Sequence, residues 1–364
     1  MNLLALRVCF ISALIAANLA AAEATSTNEN WPSWSAKAAA GYLDGRITWW
    51  MNWPTAARDH GTFCISCHTA VTYAVGRPAL RASLAETAPS ISERQLIDNV
   101  TKRVQMWAEV EPFYPDKLRG VPKTIESRGT ESILNALILV RYGTPDAKLA
   151  LENMWAEQLK DGDAKGAWNW LQFHNAPWEG DSQYYGAALA AVAVGSAPES
   201  YRATRDVQDR IQLLREYLVK NRDSQTLMDR VILLWASTKL LGLVTPAVQQ
   251  ALVTEALAKQ QPDGGFSLTS FVGGWKRHDD TALEMKSDGY ATGVVAYVLQ
   301  EAGLPRTEPR IQRALAWLDH NQEKTDGRWL AYSLNKQRVL DSDVGRFMSD
   351  AATAYAVLAL TDTK

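Results

Sequence analysis

Cysteine is scarce in this chain, which limits how the fold can be held together. The 364 residues include three cysteines, and Cys9 lies in an N-terminal stretch typical of an export signal. Once that stretch is set aside, only Cys64 and Cys67 remain, so no disulfide framework beyond this pair is available. The fold must therefore depend on packing.

A strong charge of either sign is also missing. There are 38 Lys and Arg residues against 40 Asp and Glu residues, a formal net charge of −2. This balance gives no electrostatic case for binding nucleic acid. Apart from residues 8–19, no apolar run approaches the about 20 residues that a membrane-spanning helix needs. We therefore expect no nucleic-acid partner and no transmembrane anchor.

The N-terminus has the three parts of a secretory signal peptide. Residues 1–7 include a positive charge, residues 8–19 are apolar, and Ala20-Ala21-Ala22 precede Glu23. This pattern predicts a signal peptide over residues 1–22, cleaved near Ala22. We expect the mature domain, residues 23–364, to be periplasmic or secreted.

The two remaining cysteines belong to a motif with a defined chemistry. Cys64-Ile65-Ser66-Cys67-His68 has the spacing of a c-type haem attachment site, in which two thiols form thioethers to one porphyrin. The adjacent imidazole can then serve as proximal iron ligand. The motif predicts one covalent haem c, with Cys64 and Cys67 as attachment points and His68 on the iron. The alternatives are a small disulfide or an incidental pair of cysteines.

No sustained period-two alternation calls for a sheet, whereas two kinds of helical segment alternate along the chain. Six segments are apolar almost all round, as in helices packed on every side. They are residues 69–76, 131–142, 184–194, 227–241, 290–301 and 351–360. Six others are amphipathic: residues 34–50, 93–108, 147–160, 207–221, 246–261 and 308–322. We therefore predict an all-α fold, an (α/α)6 barrel or toroid of six helical hairpins with inner and outer rings of helices.

Three amphipathic segments end in a similar short sequence, in which Gln is followed by Asp-Gly, at 158–162, 260–264 and 322–327. A glycine just past a helix end suits a left-handed cap. This short sequence resembles the repeat of the squalene–hopene cyclase and protein prenyltransferase superfamily. The resemblance implies an α/α toroid and a terpenoid-like ligand.

The connections from amphipathic to apolar segments are mostly long, and long loops often carry function. In an alternating barrel they share one end, which we predict to be the functional site. We expect a cavity there with His174 as a second metal ligand, alongside Trp178, Asp181, Trp275, His278 and Trp329. Other candidates for a sixth haem ligand are His60, His278, Met51 and Met106. Tryptophan is abundant, with 14 residues, which favours an aromatic cavity wall.

Acidic residues at the same end have two interpretations. Asp181, Asp288 and Asp350 each precede an apolar segment, where aspartate is a preferred helix cap; together they could also form an acidic ring. Residues 277–282, with Asp279 and Asp280, are similar to the protonation motif of squalene–hopene cyclases. That resemblance implies catalytic roles for both acids.

These features lead to one expectation and three alternatives. We expect a haem-bearing toroid with a redox or oxidoreductase role on a small apolar or terpenoid-like molecule, and a periplasmic redox partner. The alternatives are a haem-free terpenoid cyclase or isomerase using Asp279 and Asp280, a glycan-binding or glycan-cleaving barrel, and a non-enzymatic binding protein with a Cys64–Cys67 disulfide.

Overall fold

Helices dominate the part of the chain that the computed structural model describes, residues 33–180 and 182–362. This part contains fourteen α-helices and one two-stranded antiparallel ribbon, so the all-α prediction is confirmed. Residues from 33 onward belong to one compact unit. The predicted signal peptide at 1–22 and Asp181 lie outside the described residues.

The helices follow one another along the whole described chain. In order they are α1 (Ala36–Asn52), α2 (Ala70–Ser83), α3 (Ile91–Gln105), α4 (Asp116–Arg119), α5 (Lys123–Tyr142), α6 (Ala147–Ala156), α7 (Tyr184–Ser196), α8 (Glu199–Arg202), α9 (Arg205–Asn221), α10 (Leu227–Lys239), α11 (Pro246–Leu257), α12 (Gly289–Glu301), α13 (Pro309–His320) and α14 (Phe347–Thr361). The ribbon pairs β1 (Ala57–Arg58) with β2 (Thr62–Phe63).

Two kinds of helix alternate, and their burial explains the sequence pattern. The core helices α2, α5, α7, α10, α12 and α14 are buried on several sides. In α7, for example, every residue of 184–194 is buried. The flanking helices α1, α3, α6, α9, α11 and α13 bury one face. In α13 this face is Ile311, Ala314, Leu315 and Leu318, at the spacing of one helical stripe.

The core helices contact one another in a cyclic order. Helix α2 packs against α5, α5 against α7, α7 against α10, α10 against α12, α12 against α14, and α14 against α2. Each flanking helix packs against one or two core helices, and α1 contacts both α2 and α14. The first and last core helices are therefore neighbours.

The repeated glutamines connect successive flanking helices. Gln158 Nε2 donates to the carbonyl of Gly166 in its own loop (3.0 Å) and to that of Arg210 on α9 (3.1 Å). Gln260 makes the equivalent pair of bonds, to Gly264 and to Arg310 on α13. The repeated short sequence thus corresponds to a repeated pair of hydrogen bonds, one of which links neighbouring flanking helices.

The third glutamine, Gln322, links the last flanking helix to the first. Gln322 Nε2 donates to the carbonyl of Gly327 (2.8 Å) and to that of Ser35 (3.1 Å), which caps α1. Gln322 Oε1 also accepts from the Ser35 amide at 2.6 Å. Residues 287 apart in sequence are therefore held by a two-way amide contact.

Aromatic side chains fill the space between the core helices. Tyr290 contacts Trp178 and Tyr355, each with ring centroids 5.8 Å apart, and Tyr355 contacts Trp235 at 6.4 Å. Trp235 in turn meets Tyr297 edge-on at 5.8 Å. The aromatic residues that the sequence suggested as cavity walls partly occupy the interior themselves.

The acids before the core helices divide into two roles. Asp288 is a helix cap, because its carboxylate accepts from the amides of Ala291 (2.9 Å) and Leu268 (2.6 Å). Asp350 does not precede its helix, since α14 begins at Phe347. The capping interpretation of Asp350 is therefore wrong, and its buried carboxylate belongs to the site described next.

Candidate functional site

A cavity of about 310 Å3 lies where several long connections meet, beside the N-terminal ends of α2 and α14. Its walls come from the α1–α2, α3–α5, α6–α7 and α13–α14 connections and from the helix ends beside them. The lining includes Trp50, Cys64, Cys67, His68, Phe113, Tyr114, Phe173, Asn175, Trp178, Glu179, Asn335, Phe347 and Met348. The cysteine–histidine motif therefore forms one wall of a cavity shared by four long connections.

The backbone just before the motif is fixed by hydrogen bonds from three directions. The Cys64 amide donates to the carbonyl of Ala56 (2.8 Å), and Trp50 Nε1 on α1 donates to the carbonyl of Cys64 (2.7 Å). On α3, Asn99 Oδ1 accepts from the Phe63 amide (2.8 Å) and Asn99 Nδ2 donates to its carbonyl (3.2 Å). Both faces of the peptide chain entering the motif are thus held.

A buried ion pair also holds the segment that enters the motif. Arg103 on α3 binds Glu131 on α5 in a bidentate arrangement, with N···O distances of 2.5 and 3.0 Å, and neither side chain is exposed. The Arg103 guanidinium also donates to Thr62 Oγ1 in β2 (2.7 Å). Because a bidentate pair fixes orientation as well as distance, it holds β2 against two helices.

Ser66, between the two cysteines, accepts hydrogen bonds from backbone amides where helix α2 begins. Its hydroxyl accepts from the amides of Thr69 (3.3 Å) and Ala70 (3.1 Å), and its carbonyl accepts from the Val71 amide (3.0 Å). These bonds satisfy amides that have no partner inside a helix. The motif therefore lies directly before a helix, and the hydroxyl of its serine pairs two of the backbone amides at the helix start.

Both thiols are free and line the same cavity. Burial raises the pKa of Cys64 to about 12 and raises that of Cys67 well above its ordinary value. Both side chains are therefore thiols at neutral pH.

His68 has a fixed tautomer, because its Nδ1 takes part in a chain of buried hydrogen bonds. Nδ1 lies 2.8 Å from Thr69 Oγ1, and that hydroxyl donates to Asp350 Oδ2 at 2.6 Å. A hydroxyl has one hydrogen, so Thr69 can only accept from His68. Nδ1 therefore carries the proton, and Nε2 keeps the lone pair that a metal needs. Such partners commonly orient metal-binding histidines.

Asp350 ends this chain and accepts hydrogen bonds from three side chains. Its Oδ1 accepts from Tyr42 Oη (2.7 Å) and from Arg46 Nε (2.8 Å), both on α1. Asp350 is fully buried, and Arg46 is nearly so. The buried carboxylate is therefore paired and hydrogen-bonded on both oxygens, as a buried charge must be.

The imidazole of His68 is also held by aromatic rings. Phe347 stacks on it with ring centroids 3.8 Å apart, and Trp50 meets it edge-on at 5.1 Å. Trp178 lies at 5.8 Å. Burial, with the charge of Arg46, lowers the pKa of His68 to about 3, so the ring is neutral over the ordinary pH range. Neutral imidazole is the form that binds metals.

Glu179 is an acid of the same cavity that the sequence did not single out. Its carboxylate lies 3.4 Å from Asn175 Nδ2. Burial raises the pKa of Glu179 to about 7, while Asn175 and Lys123 oppose the rise. A carboxyl of this kind can exchange protons near neutral pH.

The predicted second ligand, His174, does not line this cavity, although Phe173 and Asn175 on either side of it in sequence do. His174 stacks on Trp275 at 4.2 Å, and His278 lies 5.1 Å from His174. Trp275 lines a different cavity, beside Tyr185 and Asp229. Of the predicted residues, Trp178 lines the motif's cavity, while His174, His278 and Trp275 form a separate cluster.

Other predicted residues occupy the surface or the packed interior. Asp279 is exposed, and its carboxylate accepts from the Thr281 hydroxyl (2.7 Å), which lowers its pKa. Asp280 is also exposed and lines a third cavity. Trp329 is fully buried, and its Nε1 donates to the carbonyl of Leu318 (2.7 Å). It is packed against a flanking helix.

Within the described residues, no group of three or more His, Cys, Asp and Glu side chains is placed to hold a metal ion. No helix in residues 33–180 and 182–362 is long and apolar enough to cross a membrane. Comparison with known families gave no matching family model, and comparison with curated proteins gave no match.

Proposed function

We propose that this chain is a periplasmic or secreted c-type haem protein with a redox role. The observation that carries the proposal is the arrangement of the motif: two free thiols and a neutral, oriented imidazole line one cavity. Cys64 and Cys67 would hold the porphyrin, and His68 Nε2 would bind the iron. A bound haem would supply one-electron redox chemistry, with a potential set by its ligands and surroundings.

The chain's own residues have distinct parts in this proposal. Thr69 and Asp350 keep the Nδ1 proton in place and raise the basicity of the ligating nitrogen. The rings of Phe347 and Trp178 limit water around His68. At the rim, the exposed guanidinium groups of Arg119 and Arg338 complement the carboxylates that a haem carries.

The walls of the same cavity also suit contact with an apolar molecule. Phe113, Tyr114 and Phe173 give it an aromatic wall, and Asn335 adds polar contacts. We propose that a small apolar, terpenoid-like molecule binds against this wall, and that a periplasmic redox partner would supply or remove the electrons that a bound haem could exchange. Glu179 is the group on this wall suited to accept or release a proton.

We further propose that the six hairpins form an (α/α)6 toroid of the squalene-cyclase-like kind. The cyclic order of contacts among the core helices supports this arrangement. The hydrogen bonds between Gln322 and Ser35 also support it. They link the last flanking helix to the first in the way that Gln158 and Gln260 link successive flanking helices.

The haem-free cyclase alternative receives less support from the acids it needs. A carboxylic acid that protonates an alkene must be kept neutral by burial. Asp279 is exposed, and its hydrogen bonds lower its pKa. We therefore favour the haem proposal.

Expression of the full chain with haem-maturation machinery tests the proposal. We expect a Soret band that remains with the protein after acid–acetone extraction, because the thioethers are covalent. A variant carrying Cys64→Ala and Cys67→Ala is the control and should lose the band on extraction. A wild-type protein without the band, or with extractable haem, would contradict the proposal.

A further inference from the structure

A second cavity, of about 280 Å3, lies beside the N-terminal ends of α7 and α10. None of the residues that line it lines the motif's cavity or takes part in the proposed haem site. Within the described chain, its lining contains no lysine, arginine or histidine. The lining residues that decide what it could bind are Pro177, Tyr185, Asp229, Val272 and Trp275.

Asp229 is the one charged side chain of this lining among the described residues. Its Oδ2 accepts from the Thr226 hydroxyl (2.7 Å) at the start of α10, and it forms no ion pair within the described chain. Arg230, next to it in sequence, is bound to both carboxylate oxygens of Glu255 (2.7 Å each). Because charges withdrawn from water are usually paired, the Asp229 carboxylate lacks a partner of opposite sign.

The same carboxylate can be reached by a small molecule. Asp229 is partly exposed, and no hydrogen bond of 3.5 Å or less reaches its Oδ1 from the described residues. Oδ1 is open to water, unlike unpartnered atoms such as Trp178 Nε1, which are closed off in the packed interior. Burial raises the pKa of Asp229 to about 6, although hydrogen bonds from Thr226 oppose the rise. The group is therefore mostly ionised at pH 8 and keeps a free acceptor atom.

Aromatic and apolar side chains form another part of the lining. Trp275 contributes its ring, because its Nε1–H is taken by the carbonyl of Leu334 (3.0 Å). Tyr185, 5% exposed, adds a second ring, and Pro177 and Val272 add apolar surface. The Tyr185 hydroxyl is also open to water and has no hydrogen bond of 3.5 Å or less within the described residues. Since aromatic rings attract cations, this lining suits a molecule that joins a positive charge to an apolar body.

The two helix ends beside the cavity act against a cation, and their effect can be weighed. A helix N-terminus carries about half an elementary positive charge, spread over amides that have no partner inside the helix. Ser182 Oγ already accepts from the Tyr184 amide of α7 at 3.2 Å. Thr226 Oγ1 accepts from the Asp229 amide of α10 at the same distance. A cation on Asp229 Oδ1 would touch a full negative charge, and because Coulomb energy falls with distance, this contact outweighs the helix ends.

We propose that this cavity binds a small organic amine as its ammonium ion, with the charge on the Asp229 carboxylate and the apolar body against the rings of Trp275 and Tyr185. An organic anion would meet the carboxylate with no cation of the described lining to offset it. A metal ion would lack ligands, since the described residues hold no group of three or more His, Cys, Asp and Glu side chains placed for one. The inference does not depend on the haem proposal, because it uses none of the same residues.

Titration of the purified full chain at pH 8 with benzylamine tests the proposal, with benzyl alcohol as the uncharged probe of similar shape. We expect benzylamine to shift the indole 15N–1H signal of Trp275 in a saturable way. Benzyl alcohol should bind at least about tenfold more weakly, because it cannot form the ion pair. Calorimetry gives both affinities, and Trp275→Phe identifies the signal by its loss. The comparison of the two probes uses the wild-type protein, so it does not depend on the folding of a variant.

Matched substitutions locate the binding site. Asp229→Asn should weaken benzylamine binding by about tenfold or more, because it removes the charge but keeps the shape and the acceptor for Thr226. Asp280→Asn, in the neighbouring cavity that Trp275 also lines, should bind as the wild type does, and so should Asp209→Asn at an exposed site on α9. Thermal midpoints show that each variant is folded. An unmoved Trp275 signal, equal affinities for benzylamine and benzyl alcohol, or wild-type affinity in Asp229→Asn would overturn the proposal.

Discussion

Replacing Thr69 by valine tests the hydrogen-bonded chain behind His68. Valine keeps the shape of threonine but removes the hydroxyl that joins His68 Nδ1 to Asp350 Oδ2. The bond to the buried carboxylate is charge-assisted and contributes about 1.5–3 kcal/mol, and the bond from the imidazole about 1 kcal/mol. We expect the free energy of unfolding to fall by about 2.5–4 kcal/mol, measured by urea denaturation of the haem-free protein.

The same variant should alter the imidazole itself. In the wild type, Nδ1–H has a fixed acceptor, so 15N shifts of the ring should report a single tautomer with Nε2 unprotonated. Thr69→Val should give a mixture of tautomers. The control is Thr361→Val, which removes a hydroxyl bonded only to the carbonyl of Val357. A stability within about 0.5 kcal/mol of wild type, together with an unchanged tautomer, would refute the role assigned to Thr69.

Three further predictions concern support of the site and its pH dependence. Arg103→Met should lower the free energy of unfolding by about 3–5 kcal/mol, because it leaves Glu131 buried without its partner; urea denaturation measures the loss. Gln322→Ala should lower the thermal midpoint, because it removes bonds that join the two ends of the described chain. Glu179→Gln should leave stability near pH 4 almost unchanged and raise it by about 1–3 kcal/mol near pH 8, as urea midpoints at both pH values would show.

The sign for Glu179 follows from proton binding. Its pKa is about 7 in the folded chain and about 4.3 in an unfolded one, so the folded state binds more protons between these values. Stability from this group is therefore present below about pH 4 and is lost progressively as pH rises from there through 7. An equal pH dependence in Glu179→Gln and wild type would contradict the assignment, and the exposed Glu152→Gln should behave as wild type.

Controls of the same residue type accompany the other two substitutions. Arg94→Met removes an exposed arginine from α3, and its effect should stay within about 0.5 kcal/mol. Gln208→Ala removes an exposed amide that bonds to the nearby carbonyl of Arg202. A loss in Gln208→Ala as large as that in Gln322→Ala would show that the bond between the chain ends has no special weight.

The helical class and the two kinds of helix could be predicted from sequence, because burial follows local periodicity. The stripe of Ile311, Ala314, Leu315 and Leu318 is visible in the sequence before any contact is known. The contacts of the repeated glutamines were harder to predict from sequence. Their short sequence marks a helix end, but their partners, such as Arg210 for Gln158, lie on the next flanking helix.

The site was predictable where its residues are adjacent in sequence. Cys64, Cys67 and His68 form one short motif, and the structure places all three on one cavity wall. The contact from Thr69 to Asp350 spans 281 residues, so nothing local indicates it. The sequence placed Asp350 before its helix, whereas α14 begins earlier, at Phe347.

The loop residues were the hardest to predict. His174 and His278 were expected near the motif because the predicted barrel puts their loops at one end, yet His174 stacks on Trp275 and His278 meets His174 edge-on. Loop paths depend on turn geometry and side-chain contacts that leave no periodic pattern. Glu179 was missed for the same reason, since its cavity position depends on how residues 174–180 turn.

The mass of the peptide containing Cys64 and Cys67 tests the central claim most directly. After expression with haem-maturation machinery, the account predicts that this peptide carries the added mass of one haem, and that the Cys64→Ala, Cys67→Ala variant lacks it. A wild-type peptide lighter by two hydrogens would show a disulfide, and one of unchanged mass would show free thiols. Either result would contradict the assignment of the motif as a haem attachment site.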